Sequence, residues 1–177
     1  MARGLLVACA VAVAACDAGE APPTHGAPPA AAPAAASGNS SDDALAAVAR
    51  VHGGAGPWAV AGYRMGAHAL ERLGLRAQSF DLEVVHRSPR EVQYSCIADG
   101  AAAATGASLG KLNLSLEPAD EAHVETIYRR KSDGKEVRLR VTESFEKRFQ
   151  DVPRERLAEA GREVIDLPAS EVFEDVR

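Results

Sequence analysis

A short stretch in the middle of the chain, YSCIADGAAAATGASLGKLN at residues 94–113, combines residue types that can do chemistry. Cys96 is followed three residues later by Asp99, and on a helix two side chains at this spacing share a face and can meet one ligand. Thiolates and carboxylates are both ligands that transition metals accept. The alternative is a short buried helix followed by a turn, with Cys96 as a small hydrophobe and Asp99 as an acid that the helix dipole stabilises. The residue types alone leave both interpretations open.

The second half of that stretch, GASLGK, does not have the spacing of a phosphate-binding loop. A Walker A loop has four residues between its glycines and a Ser or Thr after its lysine, whereas only three residues separate Gly106 from Gly110 and a leucine follows Lys111. Lys111 and Asn113 then enter a strand, where they could lie near a cleft or simply belong to a tight connection. No Ser-His-Asp set and no paired carboxylates at a marked spacing are evident, so we expect no independent catalysis.

The other two cysteines, Cys9 and Cys16, lie close to the N-terminus. The segment MARGLLVACAVAVAAC has one arginine, a short apolar run and small residues before Cys16, which is typical of a secretory signal and too short for a membrane-spanning helix of about 20 residues. Its last four residues resemble a bacterial lipobox, in which the signal is removed and the cysteine is lipidated. We therefore predict a signal peptide at residues 1–16 and an exported, membrane-anchored lipoprotein that faces the periplasm or the cell exterior. An ordinary cleaved signal ending near AVAA and an apolar N-terminal helix are the alternatives.

Residues 17–42 are rich in Pro, Ala, Gly and Ser and lack apolar periodicity, so they predict a disordered linker. This division leaves Cys96 as the only thiol of the folded domain and excludes an internal disulfide. The net charge of −5 over 177 residues offers no excess of basic residues. We therefore do not expect DNA or RNA as a partner.

The chain from residue 43 to residue 170 predicts a single α+β domain. SSDDALAAVARVHG and GPWAVAGYRMGAHALERLGL have helical apolar spacing, with Pro57 at a first helical position and Gly74 as a stop. FDLEVVHR, KLNLSLEP, AHVETIYRR and KEVRLRVTES alternate as half-buried strands, and KSDGK predicts a hairpin between the last two. EKRFQDVPRERLAEAGREVIDLP is helical again, broken by Pro153 and followed by a short tail. Because no repeated β–α–β unit appears, we expect an antiparallel sheet of about four or more strands packed with helices.

Two glycines of the second predicted helix, Gly62 and Gly66, are four residues apart and lie on one face. Each costs about 1 kcal/mol relative to alanine in a helix. Such a face indicates close approach of a ligand or of another backbone, and close helix packing is the simpler explanation.

Three segments together resemble a known family. HGGAGPWAVAGYRMGAHALERLG, then CIADGAAAATGASLGKLNL, then YRRKSDGKEVRLRV are similar, in that order, to the core domain of the E-subunit family of formylmethanofuran dehydrogenase, over residues 50–142. That family has a His-Gly-x-x-Cys-Pro-Gly stretch before a helix reading like GYRMG, then Cys-x-x-Asp, then Thr-Gly-Cys-Thr-x-Gly-Lys-x-Asn. The resemblance implies an α+β core with a bound metal, a divalent transition ion such as zinc or nickel.

The resemblance also implies which residues form the site. It points to His52, Cys96 and Asp99 as metal ligands, although His52 could instead be a helix C-terminal residue placed well against the dipole. It implies further polar groups that face the same pocket and bind a ligand: Tyr63, Arg64, Lys111 and Asn113.

The chain departs from the family pattern at two thiols. The cysteine before Pro-Gly falls at Ala55 and the cysteine of the Thr-Gly-Cys stretch falls at Ala107. No cysteine follows Cys96, so the resemblance covers the core domain without a C-terminal zinc finger. Because a zinc site usually has three or four protein ligands, the alternative is a scaffold that has lost the metal and binds an organic ligand through the four polar groups.

Two functions are compatible with these patterns. The one we favour is an exported, lipid-anchored binding module that holds a metal ion or a metal-bearing cofactor. The other is an accessory subunit or enzyme that acts with a periplasmic oxidoreductase. The expected partners are the membrane, through the lipid anchor, and either a second copy of the chain or an oxidoreductase.

Overall fold

Two helices open the folded part of the chain, which the computed structural model describes from residue 41 to residue 176. The predicted signal peptide, the lipidation of Cys16 and nearly all of the predicted linker lie outside these residues. α1 spans Ser41–His52 and carries acids in its first turn. α2 spans Pro57–Leu73 and ends at Gly74, whose φ of 65° is left-handed, as the stop signal predicts.

Except for the last strand, the remaining elements follow the predicted order of strands and helices. They are β1 (Leu82–Ser88), α3 (Val92–Thr105), β2 (Leu114–Pro118), β3 (Glu125–Arg130), β4 (Glu136–Val141), α4 (Glu143–Phe149), α5 (Leu157–Asp166), α6 (Ala169–Val172) and β5 (Phe173–Asp175), with short 3-10 turns at Leu109–Lys111, Glu121–His123 and Arg154–Arg156. The α+β prediction is confirmed. Within residues 41–176, no helix has both the length and the apolar character required to cross a bilayer.

Five strands of the described region form one sheet in the order β2-β1-β3-β4-β5. The pairs β1–β3, β3–β4 and β4–β5 are antiparallel, and the predicted hairpin joins β3 to β4. β1 and β2 run parallel, because α3 crosses over between them and parallel strands need such a crossover. The sheet is therefore mostly antiparallel, with one parallel pair at its edge. The segment that reads as a short tail adds β5, in which Phe173 pairs with Val141.

The two faces of the sheet differ in chemistry. One face carries the core, in which Val84, Tyr128 and Val137 are buried on three neighbouring strands and pack with residues of the helices. The other face carries ion pairs, such as the one that Arg138 forms with Glu125 at 2.7 Å. This alternation is what a sheet with one covered and one solvated face requires.

A histidine in the core ties the sheet to α3. His86 of β1 is fully buried, its Nδ1 lies 2.9 Å from Thr126 Oγ1 and its Nε2 lies 3.1 Å from the Tyr94 carbonyl oxygen. Burial lowers the pKa of His86 to about 4, despite the opposing effect of its backbone hydrogen bonds. The neutral ring donates from Nε2 to Tyr94 and accepts the Thr126 hydroxyl, so it fixes the first turn of α3 on the sheet.

α2 and α3 cross at a contact between backbones. A methyl group at Gly62 would lie 2.1 Å from the Ile97 carbonyl oxygen, and one at Gly100 would lie 1.8 Å from the Ala59 carbonyl oxygen. Neither position has room for a side chain. The close backbone approach that the glycine spacing indicates is therefore made by α3.

Alanine substitutions at these glycines separate helix propensity from helix packing. Propensity alone would make Gly62→Ala and Gly100→Ala stabilising by about 1 kcal/mol. Because each new methyl would overlap a carbonyl that cannot rotate away, we expect a loss of about 2–3 kcal/mol in the free energy of unfolding, measured by urea denaturation. At Gly66 the nearest obstacle is the Ala104 methyl at 3.0 Å, so the loss should be smaller.

Gly110→Ala is the control, because nothing lies within 4 Å of the added methyl. Its free energy of unfolding should stay close to that of the unchanged protein. A stabilised Gly100→Ala protein would contradict the packing of α2 against α3.

Candidate functional site

His52 ends α1 and is directed at α3. Gly53 follows with a φ of 86°, and its N–H donates to the Ala49 carbonyl at 2.9 Å, so the chain leaves the helix directly after the histidine. The His52 side chain is 24% exposed, which leaves one part of the ring accessible and the rest packed.

The ring of His52 lies between the two α3 side chains that the sequence places on one face. His52 Nδ1 is 2.9 Å from Asp99 Oδ2, and His52 Nε2 is 3.1 Å from Cys96 Sγ. Cys96 and Asp99 are one helical turn apart, so the flat ring spans that turn with one nitrogen on each partner. The three residues form a Cys96–His52–Asp99 relay, although His52 precedes them by 44 and 47 positions in the chain.

The direction of the hydrogen bonds follows from the donors available. An ionised Asp99 can only accept, so Nδ1 carries the proton and donates to it. Nε2 is then an acceptor, and the Cys96 thiol donates to it. Burial raises the pKa of Cys96 to about 11, and the charge of Asp99 adds to the rise. At neutral pH the sulfur is a thiol whose proton faces a basic nitrogen.

Cys96 and His52 both line a cavity of about 520 Å³. Its walls are largely apolar and include the side chains of Trp58, Val92, Phe149, Val152 and Leu157. Cavities of this size and character, with a few polar groups at one end, are typical of sites for small organic molecules.

The cavity walls are held by contacts between distant segments. Trp58 is 5% exposed, and its indole N–H donates to the Phe149 carbonyl at 3.0 Å, which fixes the end of α4 beside α2. A methyl at Gly161 would lie 1.8 Å from the Ala55 carbonyl oxygen, so α5 packs directly on the loop between α1 and α2. The opening is therefore bordered by parts of α1, α2, α3 and α5 and by the segment after α4.

Three polar side chains accompany the apolar walls. Gln93 lies one turn before Cys96 on α3 and lines the same cavity. Asp151 and Arg154 line the cavity from the segment after α4, and Arg154 has no ion-pair partner among the described residues. Arg154 can therefore offer its guanidinium to an anionic group of a ligand.

The predicted metal ligands do not converge on one point. Asp99 contacts the ring nitrogen of His52 that faces away from Cys96, so only Cys96 Sγ and His52 Nε2 face each other. Ala55 lines the cavity beside Cys96, whereas Ala107 is buried and lines a separate groove. Within residues 41–176, no three His, Cys, Asp or Glu side chains are grouped to hold a metal. The donors present do not fit a zinc site made by protein ligands alone.

The four predicted ligand-binding residues lie outside the cavity beside Cys96. Arg64 donates to the Val164 carbonyl at 2.7 Å and links α2 to α5. Lys111 Nζ donates to the Gly106 carbonyl at 2.8 Å, at the C-terminal end of α3. Asn113 is buried, and its amide donates to the Leu82 carbonyl at 3.0 Å. Tyr63 is half-buried on α2. None of these four side chains therefore contributes to the cavity wall.

The sequence does not predict the cavity itself. Trp58, Phe149 and Arg154 reach it from segments far apart in the chain, and no spacing rule joins them. The relay is not predicted either, because a metal site uses the same three residues in a different arrangement. The one signal in the sequence is the presence of Cys, His and Asp together, which is a nucleophile–base–carboxylate set with cysteine in place of serine.

Comparisons with known proteins place the chain in a family. The family model described as "FmdE, Molybdenum formylmethanofuran dehydrogenase operon" matches residues 51–174, which is more than half of the chain. No curated protein matches it significantly. The matched range includes α2, α3 and the strands β1 to β4, together with His52, Cys96 and Asp99.

Zinc binding tests the donor set directly. Because only two protein donors face each other, we expect the purified protein to retain less than one equivalent of zinc at micromolar concentrations. Ala55→Cys adds a thiol to the lining of the same cavity and should raise zinc affinity about tenfold or more, which is ~1.4 kcal/mol. Elemental analysis measures the retained zinc, and competition with a chromophoric chelator measures the zinc affinity.

The exposed substitution Ala122→Cys is the matched control, because it adds a thiol away from the cavity. It should leave zinc affinity unchanged. Tight stoichiometric zinc in the unchanged protein that is lost in Cys96→Ser would establish a metal centre and contradict this expectation.

Proposed function

Because this chain belongs to the FmdE family, we propose that it is an exported, lipid-anchored binding module of that family that holds a small organic ligand. The cavity beside Cys96 and His52 carries the proposal. The ligand that suits it is largely apolar, with one polar group at the Cys96 end or at the Arg154 edge.

The shape and chemistry of the cavity support an organic ligand. Its 520 Å³ volume falls within the range of about 300–1,000 Å³ that holds molecules of drug-like size. Aromatic and branched side chains form the walls, so burial of apolar ligand surface supplies most of the free energy of binding. The few polar groups then select among apolar molecules by their head groups.

A divalent transition metal, such as zinc or nickel, stays a prediction from the family resemblance. Two facing donors suit a metal only if it brings further ligands with it, as a metal-bearing cofactor does. In that case Cys96 and His52 would hold the ion, and Asp99 would orient the histidine from behind. The metal would supply Lewis-acid chemistry at the end of the cavity.

Export and anchoring belong to the same proposal and rest on the first 16 residues. A lipid on Cys16 and a linker of some 26 residues would hold the domain roughly 25 Å or more from the membrane surface, since a flexible chain spans about 5 Å times the square root of its length. The family description supports an oxidoreductase as the protein partner, and a second copy of the chain is the alternative. Nucleic acid is not proposed, given the net charge of −5.

Occupancy of the cavity can be read from Trp58, which is the single tryptophan of the chain. We expect anilinonaphthalene sulfonate to bind saturably and to quench Trp58 fluorescence by energy transfer. Leu157→Asp places a carboxylate in the apolar wall and should weaken binding about tenfold, or ~1.4 kcal/mol. Leu112→Asp is the control, because Leu112 is 91% exposed and outside the cavity.

The role of Arg154 is tested with a neutral analogue of the same dye. Arg154→Gln should weaken binding of anilinonaphthalene sulfonate but not of uncharged N-phenylnaphthylamine, and Arg90→Gln, at a different groove, should affect neither. Equal quenching in all of these variants would show that the dye does not enter the cavity, and the proposed function would fail.

Membrane anchoring has its own test. Because a cysteine thiol is needed for lipid attachment, Cys16→Ser should move the full-length protein from the membrane fraction to the soluble fraction and block maturation of the precursor. Immunoblots of fractionated cells expressing each form measure both effects. Cys9→Ser, in the same predicted signal, is the control and should leave the anchored form intact. Unchanged membrane association of Cys16→Ser would rule out the lipoprotein proposal.

A further inference from the structure

The Cys96–His52–Asp99 relay has the order of groups that nucleophilic catalysis uses. A nucleophile contacts a base, and the base contacts a third group that orients it. Here the thiol of Cys96 meets His52 Nε2 at 3.1 Å, and Asp99 meets His52 Nδ1 at 2.9 Å. The nucleophile and the base also line the 520 Å³ cavity, while the orienting carboxylate lies outside it.

We propose that Cys96 is an acyl-accepting nucleophile with His52 as its general base, and that the molecule bound in the cavity is an ester or thioester with an apolar acyl group. This inference rests on the proposed function, because it uses the same cavity. It deepens that function by naming the class of ligand and the reaction.

The chemistry balances with water as the second substrate. Cys96 Sγ attacks the carbonyl carbon while the thiol proton moves to His52 Nε2, and the carbonyl oxygen becomes an oxyanion. The oxyanion collapses, the bond to the leaving group breaks, and His52 returns the proton to the departing alcohol or thiol. Water then attacks the new thioester with His52 again as base, which releases the carboxylic acid and restores the Cys96 thiol.

The surroundings of Cys96 suit this sequence of steps. His52 Nε2 lies 3.1 Å from Cys96 Sγ, so the base that removes the thiol proton during attack is already in contact with it. Gln93 lines the cavity one turn before Cys96, and its carboxamide has no partner among the described residues, so its N–H groups are available to an oxyanion. The apolar walls receive the acyl chain and exclude water from it.

Asp99 is a positioning residue in this scheme. It does not line the cavity, and it acts by keeping the Nδ1 proton in place so that Nε2 faces the thiol. Its loss should therefore slow acylation without changing how tightly the ester binds. If Asp99 had a purely structural role, its loss would instead change the affinity for the ester and the melting temperature of the protein.

The test is acylation of the full-length protein by para-nitrophenyl butyrate. We expect a burst of para-nitrophenolate and a butyryl group on Cys96, located by peptide mass mapping so that Cys9 and Cys16 are distinguished from it. Cys96→Ser should abolish the burst. His52→Gln should lower the acylation rate about 100-fold, the size of a general-base contribution. Asp99→Asn should lower the rate constant about tenfold or more at an unchanged half-saturating concentration.

A second histidine–carboxylate pair provides the matched controls. His123 Nδ1 lies 2.5 Å from Asp120 Oδ1 on the exposed surface, so His123→Gln and Asp120→Asn should leave the acylation rate unchanged. Added imidazole should restore part of the rate in His52→Ala, which guards against loss through misfolding. Acylation of Cys96 at the same rate in His52→Gln and in the unchanged protein would overturn the proposal, as would butyrylation only at other residues.

An unreactive analogue separates failure of the chemistry from failure of the proposed function. Para-nitrophenyl butyl ether has no carbonyl, and its binding quenches Trp58. Saturable binding of the ether without acylation of Cys96 would overturn the catalytic inference and leave ligand binding standing. If the ether does not bind and neither dye quenches Trp58 fluorescence, the proposed function is overturned.

Discussion

The backbone contact between α2 and α3 is the constraint on which the rest of the structure depends. Gly62 leaves room for the Ile97 carbonyl and Gly100 leaves room for the Ala59 carbonyl, so the two helices cross at a distance that no side chain permits. Cys96 directly precedes Ile97 in the chain. This crossing therefore sets the depth of the Cys96 thiol below the surface. It also sets the position of the first residues of α2, which form part of the cavity wall.

Further contacts fix the rotation of α3 about its own axis and the position of the cavity wall at the end of α4. His86 holds the Tyr94 carbonyl from within the sheet, and Trp58 packs edge-on to the Tyr94 ring at a centroid distance of 5.3 Å. Trp58 also holds the Phe149 carbonyl, which brings the end of α4 to the cavity. Burial lowers the pKa of His86 to about 4, so this support for α3 stays neutral when the solution is near pH 7. The core and the site thus share one set of contacts.

Local patterns in the sequence predict the helices and strands but not how these elements pair and pack. Proline and glycine mark the ends of α2, and Asp133 with Gly134 marks the β3–β4 hairpin, because turn chemistry is local. The parallel pairing of β1 with β2 depends on the path of α3 across the sheet, and β5 is only three residues long. The facing of His52 with Cys96 depends on how α1 packs on α3 across 44 residues, which no spacing within either helix encodes.

The family resemblance places thiols at residues 55 and 107, where this chain has alanine, and this difference supports the role proposed for Cys96. In a metal site that includes further cysteines, Cys96 and the nearest histidine nitrogen would both be directed at the ion, and their lone pairs would be taken by it. With alanine at residues 55 and 107, His52 Nε2 instead accepts the Cys96 proton at 3.1 Å. Asp99 serves either arrangement, because a carboxylate behind a histidine fixes its tautomer whether the far nitrogen faces a metal or a thiol. With alanine at both positions, the base and the nucleophile of the proposed reaction face each other rather than an ion.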